Sequence, residues 1–494
     1  MGGKPHPVLG LAPGQPADVI FVNAPLRDYE QRPRTNDFTL PVLGMAYIAT
    51  YARAQGFSVG VLDAEAHGLP LRATAQLVNS HSPRWVGLNL LAPTYEMSAK
   101  LAELFSPDSH LLVGGHHARA LLLRVLRDPR MGNCRALVIG EGELRVAELL
   151  GDLTSRRRLP GVMWLDEHGD IESGIAHGPD RARWLAPDLD ALPFIDRTLL
   201  ANDPMNTGER LRASMVGARG CPYNCSFCGA AVSANPDVTI RVRSPHNIIA
   251  EMQQLCDAGV SAFRFVDDLF LGARRVIADM TAGFTDHGVG DWATWDATGR
   301  INVIDRLTDN EIDALHRQGL REVAVGIESA SPRILTLIDK RIDPDMTRRV
   351  VTRLLDHHIS VKGYFIFGFP TETSAEITAT HSLIEQLWAL SDHHDADFRA
   401  SAFEYRPYPG TPDWARLMAT GSYTEDELLD YRPVDLTDGG MNESMRDRDE
   451  FNFAIGRDLA AAPRADIRAA LSAVVAEQHR RVHQNVAQPA AAHR

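Results

Sequence analysis

Three of the five cysteines crowd into the eight-residue run Cys221-Pro222-Tyr223-Asn224-Cys225-Ser226-Phe227-Cys228. Clustered thiolates in a reducing compartment are metal ligands more often than disulfide partners. Three cysteines can ligate three irons of a 4Fe–4S cubane, and the fourth iron then stays open to a small molecule. A zinc site would want a fourth Cys or His nearby, and the nearest candidate, His246, lies well downstream. The spacing therefore favours an iron–sulfur cluster over zinc or free thiols.

Four carboxylates make a second set of candidates for chemistry, because each lies at or near the end of a predicted strand. Carboxylates can serve as base and acid when a hydroxyl group is eliminated. An acidic set also suits a polyhydroxylated, aminated substrate better than an apolar one. Each of them could equally be a structural charge at the rim of the fold or bind a cofactor. The candidate catalytic residues are Asp267, Asp268, Asp296 and Glu404.

Short apolar runs alternate with helix-length segments along most of the chain, which is typical of parallel α/β sheets. In such sheets the carboxyl ends of the strands carry the ligand site. The cysteine run directly follows one predicted strand, which would place it at such an edge. The predicted strands are residues 18–22, 58–62, 85–90, 110–113 and 136–139, then 213–216, 262–266, 292–296, 322–327, 361–367 and 400–405.

The predicted fold class is α/β, with a Rossmann-like parallel sheet first and a partial six-stranded (β/α) barrel after it. We predict the sheet over 17–150, a hairpin and linker over 151–212, the barrel over 213–420 and a short helical tail over 421–494. The acidic stretch 435–449 could form a lid over the barrel, a docking surface or a solvated loop, and we favour the loop.

Composition excludes several classes of function. Hydrophobic residues at 44% and charged residues at 23% are ordinary for a soluble globular protein. The net charge of −13 argues against a nucleic-acid partner. No apolar run approaches the length of a membrane span, and the amino-terminal residues lack the apolar core of a signal peptide. We therefore expect a cytoplasmic protein with neither a nucleic-acid nor a membrane partner.

The cysteine run and the motifs behind it resemble the radical S-adenosylmethionine (SAM) superfamily over about residues 17–420. The later motifs are Phe265-Val266-Asp267-Asp268, Gly326-Ile327-Glu328-Ser329, the run 363–372 ending in Gly368-Phe369-Pro370-Thr371-Glu372, and Tyr408-Pro409-Gly410-Thr411-Pro412. The resemblance implies that Cys221, Cys225 and Cys228 hold a 4Fe–4S cluster, and that SAM chelates its open iron. Reductive cleavage of SAM would then yield a 5′-deoxyadenosyl radical, which abstracts hydrogen from the substrate.

The same resemblance implies positions for SAM. Tyr223 and Phe227 would lie in the cofactor site, with Phe227 against the adenine. Asp267 and Asp268 would lie near the amine, and Glu328 and Ser329 near the ribose hydroxyls or the methionine end. Gly368 carries over from the adenine-binding motif. Glu372 carries over less readily, because it stands one place later than the commonest spacing.

The first domain resembles the cobalamin-binding domain that precedes the barrel in one branch of the superfamily. The matching residues follow predicted strands, on the rim where a flat cofactor could lie, and they include Ala92, Thr94, Gly114, Gly115 and Glu141. The Asp-x-His-x-x-Gly motif of some cobalamin proteins is absent. Two interpretations stay open here, a bound cobalamin or a domain retained for packing and substrate access.

The resemblance leaves the reaction open between two courses in natural-product (antibiotic) biosynthesis. The first is dehydration or deoxygenation of an amino sugar, as in aminoglycosides, and the acidic set and the short tail favour it. The second is cobalamin-dependent C-methylation. Both need a polar small-molecule substrate and an external electron donor of the flavodoxin or ferredoxin type, and a reductase partner could supply a final electron. A non-catalytic SAM- or metal-binding module is the alternative of another class.

Overall fold

The computed structural model describes residues 6–31, 40–175, 179–203, 212–238, 240–433 and 453–487. The chain forms two compact units. The first comprises Met1–Ser214 with Val232–Arg243, and the second comprises Met215–Ala231 with Ser244–Arg494. The predicted acidic loop 435–449 lies outside the described residues. No helix in the described ranges is long and apolar enough to cross a membrane.

The first unit is built on a seven-stranded sheet with the order β2-β1-β3-β4-β5-β6-β7. The pairs among β1 to β5 are parallel, and β6 and β7 extend the sheet as an antiparallel hairpin. The strands are β1 Val19–Asn23, β2 Val59–Asp63, β3 Trp85–Asn89, β4 His110–Gly114, β5 Cys134–Val138, β6 Val162–Leu165 and β7 Ile171–Ser173. The helices are α1 Leu43–Ala54, α2 Leu71–Ser80, α3 Tyr95–Ala102, α4 His116–Ala120, α5 Leu122–Arg127, α6 Glu143–Gly151 and α7 Pro179–Leu185.

Apolar strands buried on both faces explain this sheet. The residues of β2 are buried without exception, as a parallel strand between two helical layers requires. Helices α1 and α6 pack on one face with Val19, Val61 and Trp85. Helices α2, α3 and α5 pack on the other face. The strand order reverses between β1 and β3, which is where open α/β sheets bind ligands at their carboxyl edge.

The second unit is built on a six-stranded sheet with the order β15-β14-β13-β12-β11-β8, in which β11 to β15 run parallel. The strands along this part of the chain are β8 Arg212–Met215, β9 Ala218–Arg219, β10 Arg241–Val242, β11 Ala262–Phe265, β12 Thr294–Gly299, β13 Leu320–Glu328, β14 Ser360–Phe367, β15 Phe398–Glu404, β16 Tyr431–Pro433 and β17 Phe453–Ile455. The helices are α8 Pro245–Asp257, α9 Arg274–Asp286, α10 Val289–Trp292, α11 Ile301–Ile304, α12 Asp309–Arg317, α13 Pro332–Leu337, α14 Pro344–Asp356, α15 Ser374–Ser391, α16 Pro412–Ala419, α17 Glu425–Leu428 and α18 Arg464–Ala487.

The parallel strands of this sheet alternate between an apolar face and a polar face. Phe265, Trp295 and Phe365 are buried on the face that the helices cover. The opposite face carries a row of charges in neighbouring registers, which includes Arg264 on β11 and Asp296 on β12. This alternation is the pattern of a half-barrel whose inner face is polar.

The structure confirms the predicted fold class and differs in three details. The third barrel strand begins at Thr294, because residues 289–292 form helix α10 instead. The hairpin predicted within the linker extends the first sheet through β6. The tail, predicted as helical, also contains the antiparallel pair β16 and β17. Tail strands this short carry too little period-2 pattern to be recognised in sequence.

Candidate functional site

The cysteine loop begins just after β8, and Asp267 fixes its first residues. One carboxylate oxygen of Asp267 accepts hydrogen bonds from the backbone N–H groups of Gly217 at 2.8 Å and Ala218 at 2.9 Å. The hydroxyl of Thr298 donates to the backbone oxygen of Asp267 at 3.0 Å. Asp267 is 6% exposed, so this geometry makes it a backbone anchor for the loop. Its predicted catalytic role stays a prediction.

The middle of the loop is held by several elements of the same unit. Cys225 is buried, and its Sγ accepts a hydrogen bond from Nη1 of Arg300 at 3.3 Å. The N–H of Ser226 donates to the backbone oxygen of Ile338 at 3.0 Å, and its Oγ accepts from Arg416 at the same distance. The cysteines therefore lie on a loop whose conformation the second unit determines.

The three thiols of the loop lie close together, as the ligands of one cluster must. Burial raises the pKa of Cys228 to about 12 and also raises the pKa of Cys221. Cys225 influences the pKa of both Cys221 and Cys228, and Cys221 influences that of Cys228, which places all three in one neighbourhood. Among the described residues, no three His, Cys, Asp or Glu side chains converge on a point that would hold a single metal ion. Ligands to separate irons of one cubane need no such convergence, so the set fits a 4Fe–4S cluster.

Asp268 lies beside the cysteine loop with a different environment from that of Asp267. Its side chain is accessible to solvent, yet the surrounding protein atoms desolvate it, as happens to a group lining a cleft. This desolvation raises the pKa of Asp268, and a hydrogen bond from the backbone of Gly220 opposes the shift. The carboxylate also influences the pKa of Cys221 and Cys228. Of the predicted acids, Asp268 is the one with an accessible carboxylate next to the cysteines.

Glu328 and Ser329, predicted to contact SAM, have protein partners. Glu328 ends β13 with a left-handed φ of 67° and accepts a hydrogen bond from Nζ of Lys340 at 2.7 Å, in a buried ion pair. A Cβ on Gly326 would lie 2.1 Å from Oε1 of Glu328, so only glycine leaves room for this pair. The hydroxyl of Ser329 lies 3.2 Å from that of Thr380 on α15. Their roles toward SAM stay predictions.

The loop after β14 contains Glu372, which was carried over from the family motif less readily than Gly368. Glu372 is fully buried, and its Oε2 accepts hydrogen bonds from the N–H groups of Gly368 at 2.6 Å and Phe369 at 3.2 Å. Burial raises the pKa of Glu372 to about 7. Gly368 has a φ of 91°, a conformation that favours glycine. The ring of Phe227 lies 5.7 Å from that of Phe369, so the two predicted adenine-side segments meet.

The two remaining predicted acids are engaged in ion pairs. Asp296 lies 3.3 Å from Nε of Arg264 on the neighbouring strand. Glu404 lies 2.8 Å from Nε of Arg468 on α18, and burial raises its pKa while Arg468 opposes the shift. Glu404 is thus held by a helix of the tail, and its predicted catalytic role stays a prediction. The residue responsible, Arg468, is too distant in sequence for its position to be predicted.

The predicted cobalamin-side residues lie at the carboxyl edge of the first sheet. Ala92 and Thr94 follow β3 and are buried, Gly114 ends β4 and Gly115 follows it. Gly115 has a φ of 95°, and a Cβ there would lie 2.2 Å from Oδ1 of Asn89. Packing against Asn89 therefore requires glycine at position 115, and the location fits a corrin because open α/β sheets bind ligands at this edge.

Glu141, the fifth predicted residue of that edge, already binds partners within the protein. Its carboxylate forms an ion pair with Arg241, and its backbone oxygen accepts from Nε of Arg145 at 3.1 Å. Arg241 belongs to the segment Val232–Arg243, which is part of the first unit. Nothing near Arg241 in the sequence indicated this partner.

Comparison with known families agrees with both halves of this arrangement. Residues 215–384 match the Radical SAM superfamily, and residues 34–150 match the B12 binding domain. The chain is a radical SAM enzyme with a B12-binding domain. The first match implies a 4Fe–4S cluster and SAM as cofactors, and the second supports cobalamin.

Relatives of this radical SAM enzyme include proteins named as methyltransferases. An uncharacterized methyltransferase from Pyrococcus horikoshii is 28% identical, over 80% of this chain and 83% of the relative. The cytidylyl-2-hydroxyethylphosphonate methyltransferase of Streptomyces wedmorensis is 25% identical, over 78% of this chain and 79% of the relative. Among solved structures, the methyltransferase TsrM from Kitasatospora setae, with tryptophan and a SAM analogue bound, has a TM-score of 0.62 at 18% identity, covering 81% of this chain and 76% of TsrM. This last similarity concerns the fold.

Proposed function

We propose that this radical SAM enzyme is a cobalamin-dependent methyltransferase that acts on a polar small molecule. The observation that carries the proposal is the pairing, in one chain, of the cysteine loop with a B12-binding domain, among relatives named as methyltransferases. The name of the Streptomyces relative specifies a polar small molecule. From this name we extend only the polarity to the substrate of the present chain. As a radical SAM enzyme, the chain also needs an external one-electron donor.

In this proposal Cys221, Cys225 and Cys228 hold the cluster, which when bound supplies the electron that cleaves SAM. Asp268 binds the ammonium group of SAM, because an accessible carboxylate beside the cysteines is the natural partner for that charge. Phe227 and Phe369, whose rings lie 5.7 Å apart, exclude water from the adenine.

The carboxyl edge of the first sheet holds cobalamin in this proposal. The bare backbone of Gly114 and Gly115 lets the corrin approach, and Ala92 and Thr94 contact it from the neighbouring strand. When bound, cobalamin supplies the methyl group for transfer. The substrate would then receive it at a carbon from which hydrogen has been abstracted.

The pairing of the acids is the reason to propose methylation rather than dehydration of an amino sugar. That preference depended on a set of carboxylates able to bind an amine and to act as acid and base. Asp296 pairs with Arg264 and Glu404 pairs with Arg468, so two of the four are neutralised by arginines. Asp267 binds backbone N–H groups.

Anaerobic turnover with SAM carrying a deuterated methyl group tests the proposal. The protein is reconstituted with iron and sulfide and incubated with a strong reductant, with and without hydroxocobalamin. We expect S-adenosylhomocysteine to form only when cobalamin is present, and 5′-deoxyadenosine to form in both samples. The labelled methyl group can then be traced by mass spectrometry into pooled polar metabolites.

The opposite pattern of products would overturn the proposal. If 5′-deoxyadenosine accumulates and cobalamin causes no S-adenosylhomocysteine to form, the chain does not transfer methyl groups. If neither product forms although the cluster is present, the alternative of a non-catalytic SAM-binding module is favoured. The absorption spectrum after addition of hydroxocobalamin and removal of the excess shows independently whether the corrin stays bound.

A further inference from the structure

Arg300, directly after β12, holds one cysteine of the loop by a hydrogen bond. Its Nη1 donates to Sγ of Cys225 at 3.3 Å, its Nη2 to the backbone oxygen of Lys340 at 2.6 Å, and its Nε to Oδ1 of Asn302 at 3.0 Å. The guanidinium carbon lies 3.7 Å from the centre of the ring of Tyr223. Each of the three guanidinium nitrogens therefore has an acceptor, and one face of the group stacks on Tyr223. These contacts fix the orientation of the guanidinium.

No carboxylate in the described part of the chain forms an ion pair with Arg300. The side chain is buried, with 6% of the residue exposed. Its acceptors are a backbone oxygen, an amide oxygen and a sulfur, and no ion pair within the described ranges joins it to Asp or Glu. A buried cation without a counter-charge is costly. By contrast, the neighbouring buried Lys340 has Glu328 at 2.7 Å.

We propose that Arg300 is a positioning residue whose counter-charge is the bound cluster, and that it sets the reduction potential of the cluster through Cys225. Three cysteine thiolates give a 4Fe–4S cubane a net negative charge, and one-electron reduction makes that charge more negative. A fixed cation 3.3 Å from one ligand sulfur therefore stabilises the reduced state more than the oxidised state. Arg300 thus makes the cluster easier to reduce.

Of the three cysteines, Cys225 accepts this hydrogen bond, and the charge of Arg300 also acts on Cys221. Arg300 also joins the cysteine loop to Lys340, which follows α13, and Tyr223 of the same loop stacks on it. The planar fork of arginine makes these contacts together, whereas the ammonium group of lysine would keep the charge and lose the fork. The inference rests on the assignment of the cluster to these cysteines and is independent of methyl transfer.

Redox titration of the reconstituted full chain tests the inference. The midpoint potential is read from the electron paramagnetic resonance signal of the reduced cluster, without SAM, in wild type, Arg300→Met and Arg300→Lys. We expect a more negative midpoint in Arg300→Met and an intermediate value in Arg300→Lys. Iron and sulfide content and the melting temperature are measured on the same samples. Arg349→Met is the matched control, since Arg349 is exposed and pairs with Asp305, and its midpoint should equal that of wild type.

Several results would overturn the inference. One is an unchanged midpoint in Arg300→Met at full iron content. If Arg300→Met cannot hold the cluster, the decision passes to Arg300→Gln, which removes the charge but keeps a hydrogen-bond donor. A midpoint equal to that of wild type in this variant would overturn the inference, and a more negative one supports it. A wild type without any cluster signal would refute the cluster assignment itself. Absence of methyl transfer, in contrast, leaves this measurement intact.

Discussion

The three sulfurs of the cysteine loop lie in unequal surroundings. Cys225 is buried and accepts the hydrogen bond of Arg300, whereas Cys221 and Cys228 are less buried and lie within the electrostatic influence of Asp268. Cys256, in contrast, lies on helix α8, where burial raises the pKa of its thiol and Asp257 adds to the shift. Cys256 is therefore a suitable control residue when Cys225 is substituted.

We expect Cys225→Ala to abolish the iron–sulfur absorption and the reductive cleavage of SAM, because two thiolates cannot hold the cubane as three do. Cys256→Ala should retain both properties. Iron content, the visible spectrum and 5′-deoxyadenosine formation measure the outcome. Full cleavage in Cys225→Ala would remove the cluster assignment.

The buried carboxyl of Glu372 couples folding to protons. Burial raises the pKa of Glu372 from 4.5 to about 7, so between these values the folded chain retains a proton that the unfolded chain releases. The free energy of unfolding therefore falls as the pH rises through this window. A shift of this size corresponds to roughly 3 kcal/mol at its full extent.

For Glu372→Gln we expect the melting temperature of wild type, minus that of the variant, to decrease as the pH is raised from about 5 to about 7. Glutamine keeps an acceptor for the N–H groups of Gly368 and Phe369 and has no proton to lose. Glu376→Gln is the control, because Arg333 lowers the pKa of Glu376 to about 2, outside this window. A difference that does not vary with pH would contradict the shift.

Residue types and spacing were enough to predict one loop that carries all three cysteines, whose role as ligands stays a prediction, and the meeting of Phe227 with the loop at Gly368. The partners Arg300, Lys340 and Arg468 could not be predicted, because each comes from an element far along the chain. Glu372 was undervalued for a different reason. Glu372 stands one residue later than in the common motif. The turn accommodates the extra residue because Thr371 adopts a left-handed φ of 66°.

At the level of elements, helix α18 covers the edge strand of the second sheet. Oε1 of Gln478 on this helix accepts hydrogen bonds from the N–H of Ala400 on β15 at 2.7 Å and from Nε1 of Trp388 on α15 at 3.1 Å. An unpaired edge N–H is a site for unwanted strand pairing, and this helix satisfies one of them. Arg468 of the same helix pairs with Glu404 at the end of β15.

We expect Gln478→Ala to lower the free energy of unfolding by about 1–3 kcal/mol, because it leaves two buried donors unsatisfied. The control is Gln386→Ala, since Gln386 is exposed on α15 and accepts only from Arg348. Thermal unfolding of both variants measures the effect. Equal melting temperatures for Gln478→Ala and wild type would show that the hydrogen bonds to Gln478 do not stabilise the fold.

Strand and helix alternation predicted most elements because period and length are local properties. The strand predicted to begin at residue 292 begins at Thr294 for a local reason. Gly288, in a left-handed conformation, precedes the short helix α10, and the strand starts only after this helix. The pair β16 and β17 escaped prediction because each strand has three residues and the pairing spans a long gap.

The whole molecule should respond to cobalamin as a ligand of its folded state. A ligand at a hundredfold excess over its Kd stabilises by about 2.7 kcal/mol, so we expect hydroxocobalamin to raise a melting transition by roughly 5–10 °C. Gly115→Ala should abolish this rise, because the added Cβ would lie 2.2 Å from Asn89. Differential scanning fluorimetry or calorimetry, with retained corrin absorption, gives the measurement.

Gly169→Ala is the matched control for this experiment. Gly169 also has a positive φ, 81°, but a Cβ there has nothing within 4 Å. Its backbone strain should therefore lower the melting temperature while the rise with hydroxocobalamin persists. A rise that survives in Gly115→Ala would place the corrin elsewhere.

The architecture of the whole chain was predictable in its order, a Rossmann-like sheet and then a barrel, because each domain carries its own hydrophobic pattern. The division between the units was not. The predicted linker lies in the first unit, and so does Val232–Arg243, which the sequence places inside the barrel. Arg119 binds Asp237 of this segment at 2.8 Å, and such partner choice leaves no local trace in a sequence.

The return of Val232–Arg243 to the first unit has a practical consequence for anyone who would divide this protein. The chain passes between the units at three points, after Ser214, Ala231 and Arg243, so a single cut cannot separate them. A barrel expressed without residues 1–214 would leave Asp237 and Arg241 without Arg119 and Glu141. Exchanging the cobalamin module with that of a relative therefore requires two grafts, the amino-terminal region and the segment that starts four residues after Cys228.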